Sequence, residues 1–324
     1  MHDRVIFLLS VPRSGSTLLQ RILGAHHEIE TVSEPWLLLP LAYMLKKRGC
    51  FAEYEHHTMT VALEDLIREL PRGREDFLEE LRTFVLRIYA KSSGGKSAYF
   101  LDKTPKYYLI IDEIAEIFPD AKFVFLWRNP LAIVASIMRT FQGGKWNLYQ
   151  AKADLFSGIE NLAKAYRRLD GRAIGVRFED LIDKPAPTVE KLHRYLELDY
   201  EPETLQAFVD VTLRGKIGDP TGMKSYQTLN REPLNKWSTT LSNPIRKAWC
   251  RRYLNWIGSD NLRMMGYDLE TLLDALEALP TSLRYVFSDS VRIGYGVIYS
   301  IFEPRILYSK IQNYRSWQHL HAHR

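Results

Sequence analysis

The stretch Val5–Thr17, VIFLLSVPRSGST, decides the fold. Its five consecutive apolar residues do not alternate as a half-buried strand would. They are also too few for a bilayer span or a signal-peptide core, so they read as a strand buried on both faces of a parallel sheet. A polar turn with Pro12 and Gly15 follows. Leu18, Leu19, Ile22 and Leu23 then recur on one face of a helix. A strand feeding a helix through such a turn makes an anion site, because the first helical N–H groups lack intrahelical acceptors and lie at the positive end of the dipole. Arg13 adds a bidentate donor fork, Gly15 allows close backbone approach, and Ser14, Ser16 and Thr17 add hydroxyls. Alone, the stretch reads almost as well as a serine-capped helix after a strand.

A second stretch repeats the pattern. Lys122–Trp127 (KFVFLW) is a strongly apolar strand, and Asn129-Pro130 opens a helix as N-cap and first helical residue. Arg128 stands at the junction, with Ser136 two turns into the helix. By itself this pair reads as a surface cation and a packed serine. Two strand-end anion sites on one parallel sheet open on the same edge, and so imply one ligand with two separated phosphate groups.

The remaining chain fits an α/β fold, a central parallel sheet flanked by helices. Further strands are expected at Tyr99–Leu101 and Ala173–Phe178. Helices are expected over much of 35–95, at Lys106–Phe118, and near 187–197, 203–213 and 244–257. Residues 215–243, rich in Gly, Pro, Ser, Thr and Lys, read as a long loop.

Composition bounds the function. The 324 residues are 46% apolar and 26% charged, an ordinary globular balance. Two cysteines in no CxxC pair argue against thiolate zinc and against a disulfide framework. With no signal segment, a reducing cytoplasmic setting is expected. The net charge is +5, and residues 281–324 carry six Lys/Arg against two acids. A nearly neutral body disfavours nucleic acid. The division expected is a domain over 1–270 and a basic, aromatic-rich extension over 271–324. That extension reads either as a membrane-surface element or as a helix docked on the body or on a second subunit of a homodimer.

PRSGSTLL (12–19) resembles the 5′-phosphosulfate loop of the sulfotransferases that use 3′-phosphoadenosine 5′-phosphosulfate (PAPS). FVFLWRNPLAIVAS (123–136) resembles their 3′-phosphate motif, GVRFEDLIDKPAPTVEKLHRYLEL (175–198) the strand and helix after it, and LNKW (234–237) the late loop over the nucleotide. Four elements in family order cover roughly residues 4–268. LDKTPKYY (101–108) and IFPDAKFVFLWRNP (117–130) are especially similar to the protein-tyrosine sulfotransferase branch and its bacterial relatives. The resemblance implies a P-loop nucleotide-kinase-like fold, PAPS as sulfuryl donor, no metal, and a hydroxyl acceptor such as a glycan, lipid-linked sugar or natural product. It implies that Pro12, Arg13, Ser14, Gly15, Ser16 and Thr17 hold the phosphosulfate, that Arg128 and Ser136 hold the 3′-phosphate, and that Ser225, Lys236 and Trp237 reach the nucleotide from the late loop.

The catalytic candidates are Arg13, Lys103 and Glu34. Lys103 matches the lysine of the protein-tyrosine branch that stabilises the transition state; its plain reading is a salt bridge to Asp102. Glu34 lies 21 residues after Arg13, about the family's spacing from loop arginine to catalytic glutamate. It is read as the general base, with helix capping beside Pro35 and a different carboxylate, such as Asp102, as alternatives. The missing Gly-Lys-Ser/Thr ending argues against the rival, a Mg-ATP-dependent kinase. A non-catalytic nucleotide-binding protein is a second rival, disfavoured by the presence of Glu34 and Lys103. No histidine set is expected to bind a metal.

Overall fold

A computed structural model describes residues 4–50, 52, 54–214, 228–302, 307–308 and 311. Five strands, β1 (Arg4–Leu9), β2 (Ile29–Thr31), β3 (Tyr99–Asp102), β4 (Lys122–Trp127) and β5 (Ala173–Arg177), form one all-parallel sheet in the order β2-β3-β1-β4-β5. Strand β1 is central. Its Val5, Phe7 and Leu9 enter one core and its Ile6 and Leu8 the other, which is why its apolar residues do not alternate. Helices Arg74–Ser93, Ile111–Ile117, Pro130–Gln142, Ile159–Arg168 and Pro244–Ile257 cover the first face. Helices Ser16–Leu23, Phe178–Asp183 and Pro185–Tyr195 cover the second.

The expected strands all form, and β2 is an addition of three residues, too short to carry a periodic signal. The expected helix Lys106–Phe118 is broken at Ile110 into a 3-10 turn, Pro105–Leu109, and the helix Ile111–Ile117. Near 203–213 only Thr204–Ala207 is helical. The expected loop 215–243 is corrected in part, since Glu232–Leu241 is a helix. Its Leu234, Trp237 and Leu241 have helical spacing and meet the two cores, but they stand among Asn, Ser and Thr that mask the pattern.

After the helix Leu269–Glu277, which contains position 270, the chain continues into the helix Val286–Phe302. That helix is fastened by the buried carboxylate of Asp289. It accepts hydrogen bonds from Arg246 Nε (2.6 Å) and Nη2 (3.0 Å), Asn243 Nδ2 (3.2 Å) and the Trp146 amide (3.3 Å). Arg246, equally buried, also donates to the carbonyls of Thr240 and Gly144. Among the described residues no helix is long and apolar enough to cross a membrane.

Removing one member of such a pair strands the other charge away from water. Asp289→Ala is expected to cost about 3–5 kcal/mol of stability, with part recovered by adding Arg246→Met. Urea unfolding of both variants measures this, and a single variant as stable as the parent would refute it.

Candidate active site

Register fixes where the charged loops emerge. Phe7 pairs with Asp102 and Leu9 with Phe125, so the loops after β1, β3 and β4 leave the sheet side by side at its carboxyl edge. Arg13, Lys103 and Arg128 each begin or lie in one of these loops.

The β1 loop is a strained turn. Arg13 (φ 72°) and Gly15 (φ 91°) are both left-handed, and for Arg13 this costs on the order of 1–3 kcal/mol. Such turns line backbone N–H groups along a concave surface suited to an anion. A Cβ at Gly15 would lie 2.4 Å from two ring carbons of Phe178. The opposite service of that ring is to carry Arg128, whose guanidinium sits 4.4 Å from its centroid. Arg128 Nη1 donates to the Arg13 carbonyl (2.8 Å) and Nη2 to the Pro233 carbonyl (3.0 Å). Arg13 Nε donates to Ser136 Oγ (3.3 Å). The two anion motifs are therefore in direct contact.

Two further observations fit a polyanion here. Ser14 Oγ is buried and has no hydrogen-bond partner among the described residues. Arg139, three residues beyond Ser136, donates to the Lys236 carbonyl (2.9 Å), and its pKa is held below the ordinary arginine value by burial and then by the charge of Arg13. Guanidinium groups that disfavour one another this way are relieved by an anion among them. Sequence reasoning missed Arg139 and Phe178. Arg139 is detectable as the cation one helical turn from Ser136.

The second half of the site is a buried ion pair. Lys103 Nζ donates to Glu34 Oε1 at 2.7 Å, the two side chains being 2% and 9% exposed. It also lies 3.5 Å from Thr17 Oγ1 at the start of helix Ser16–Leu23, where Ser16 and Thr17 are both buried. Lys103 thus pairs with Glu34 rather than with Asp102. Glu34 caps no helix; its Oε2 accepts from Trp36 Nε1 (3.2 Å), and the next helix begins at Leu38.

Asp102 serves this pair from beneath. It is buried, and its carboxylate accepts from the hydroxyls of Tyr89 (2.5 Å), Tyr107 (2.8 Å) and Thr104 (3.2 Å). Thr104 Oγ1 and Tyr107 Oη in turn accept the amides of Trp36 and Leu38, clamping residues 34–38 onto the β3 loop. Burial outweighs these bonds and pushes the Asp102 pKa up to about 6. With both oxygens engaged, Asp102 is a positioning residue and not an available base.

The late-loop candidates divide. Lys236 and Trp237 lie on helix Glu232–Leu241, where Lys236 Nζ is paired with Glu232 (2.5 Å) in a half-exposed bridge and Trp237 packs on the first core. Ser225 lies outside the described residues. Pro12 stands half-buried at the turn before Arg13. Buried His26, exposed His27 and half-buried Glu201 bring ligand atoms within 4.8 Å of one another, an approach the sequence did not reveal. His26 Nδ1 accepts the Glu28 amide, so its Nε2 bears the proton donated to the Asp199 carbonyl, and neither nitrogen is left for a metal. A cavity of about 430 Å³ runs along the outer edge of β5 past Trp127, Arg177 and Lys191; Glu34 and Lys103 do not line it.

Fold and site together define a P-loop-like α/β protein with a strained, arginine-bearing turn at the carboxyl edge of its sheet and a buried carboxylate–ammonium pair beside it. Residues 5–202, more than half of the chain, match the family model described as "Sulfotransferase family", and the chain belongs to that family. It is 28% identical over 298 residues to the nodulation protein NoeE of Sinorhizobium fredii, covering 82% of this chain and 66% of NoeE, just under two-thirds of that relative's length. It is 23% identical to a putative protein-tyrosine sulfotransferase of Caenorhabditis briggsae, covering 76% of this chain and 85% of the relative. The fold matches the sulfotransferase domain of the Synechococcus PCC 7002 olefin synthase at a TM-score of 0.50, with 23% identity over 73% of this chain and 87% of that domain.

Asp102 generates a signed pH dependence. Its folded pKa, about 6, lies above the 3.8 of an unperturbed carboxyl, so the folded state binds the extra proton between these values. The contribution of this group to stability is full below 3.8 and is lost as pH rises through about 6. In denaturant titrations, the stability of the parent relative to Asp102→Asn should rise on acidification across that window. A difference that stays flat or falls would contradict the assignment.

Proposed function

We propose that this protein moves the sulfuryl group of PAPS to a hydroxyl acceptor. The observation that carries this reading is the Lys103–Glu34 pair, buried at 2.7 Å beside the cradle that begins at Arg13. PAPS supplies the sulfuryl group and two phosphate-bearing ends when bound. Ser14, Gly15, Ser16 and Thr17 offer amides and hydroxyls to the phosphosulfate end, with Arg13 as their cation. Arg128, Ser136 and Arg139 hold the 3′-phosphate. Lys236 reaches the nucleotide from helix Glu232–Leu241, with Trp237 seating that helix on the core.

Glu34 takes the proton of the acceptor hydroxyl. Its protonation weakens the hold on Lys103 Nζ, which lies within 3.5 Å of Thr17 Oγ1 and is then released to donate toward the leaving oxygen. The base and the electrophilic cation thereby change state together. Positive charge comes from side chains, so the reaction proceeds in the presence of a chelator. The acceptor class is a glycan, lipid-linked sugar or natural-product hydroxyl.

Labelled PAPS and a panel of such acceptors test the activity. Glu34→Gln is expected to lower turnover by roughly 10²–10⁴-fold while 3′,5′-ADP still raises the melting temperature without metal. Full turnover in a folded Glu34→Gln protein removes Glu34 as the base. A thermal response to Mg-ATP with none to 3′,5′-ADP favours the kinase reading instead.

A further inference from the structure

Helix Val286–Phe302 has two unlike faces. The inward face holds Asp289, in its buried pair with Arg246, and Gly296, where a Cβ would come within 2.9 Å of the Tyr149 ring. Arg292 also turns inward, donating to the Trp146 carbonyl. These are the only two formally charged side chains in the helix. The outward face carries Phe287, Val291, Tyr295, Ile298, Ile301 and Phe302, each more than half exposed and Phe287 at 84%. Between them stand no charges. A contiguous apolar face of this kind on a helix marks an interaction surface.

The surrounding charge selects the partner. Arg284 precedes the helix, and Arg305, Lys310, Arg315 and Arg324 follow it in sequence. The acids of residues 281–324 are Asp289, which is buried, and Glu303. In sequence the segments on both sides of this helix are basic, a pattern that a second copy would repeat rather than complement. A surface that offers hydrocarbon below and negative charge above meets both halves of the pattern. Among the described residues no helix, this one included, is long and apolar enough to cross a bilayer. Its buried Asp289 also keeps it on the body.

We propose that helix Val286–Phe302 is an interfacial anchor, lying in the headgroup region of an anionic bilayer with its outward face among the acyl chains. The protein would then work at a membrane surface, independently of which acceptor it sulfates.

Flotation of the full-length protein tests this with vesicles of phosphatidylcholine alone and of phosphatidylcholine mixed with phosphatidylglycerol. The parent is expected to float with the mixed vesicles, less with neutral ones, and progressively less as salt is raised. Val291→Glu with Ile298→Glu, on the outward face, should abolish flotation while the thermal response to 3′,5′-ADP persists. The proposal is overturned if the parent ignores anionic vesicles, or if the double variant floats as well as the parent. It is equally overturned if sedimentation finds a dimer that the substitutions dissociate while vesicles are not bound.

Discussion

Strand β1 is hydrogen-bonded to a parallel neighbour on each side, and this constraint governs where every charged group of the site can stand. A parallel strand buried on both faces has no polar outlet except its ends. Its carboxyl end, flanked by those of β3 and β4, is where three loops must turn back to helices. Arg13, Lys103 and Arg128 emerge there, and Arg128 reaches the Arg13 carbonyl although 115 residues separate the two in sequence. The chemistry follows from strand order before any single side chain is considered.

The site is held against its own electrostatics. Arg13 and Arg139 disfavour each other, Arg13 occupies a left-handed backbone conformation, and Lys103 is almost wholly removed from water. Each of these opposes folding. What opposes them in turn is a rigid underlayer: the Asp102 carboxylate with three hydroxyls around it, and the amides of Trp36 and Leu38 tied to two of those hydroxyls. Gathering like charges in this way costs stability that an anion among them would restore.

Much of this is legible in the sequence because local signals coincide with tertiary need. The unbroken apolar run before Ser10 gives the central strand, and Asn129-Pro130 gives a helix start in which Asn129 Oδ1 does accept the Leu131 amide. Four of the five strands are readable this way. Less legible is whatever depends on contacts distant in sequence. Phe178 reads as an ordinary core residue until its ring is found between Gly15 and Arg128. Asp102 reads as the partner of adjacent Lys103 until Tyr89 and Tyr107 are found on it and Glu34 is found on the lysine. Helix Glu232–Leu241 is hidden by the Asn, Ser and Thr that stand between its few core-facing residues.

The Phe178 ring has a consequence for how such a protein can change over generations. It fills the space a larger residue at position 15 would need, and it is also the platform under the guanidinium of Arg128. Shrinking the ring to admit a bulkier neighbour would undermine the cation; keeping it forbids the bulk. Positions 15, 128 and 178 are thus locked in mutual dependence, so that drift at any one is viable only after compensation at the others. In lineages sharing this arrangement the three should vary as a set, leaving a correlated trace that neither strand nor helix propensity would produce.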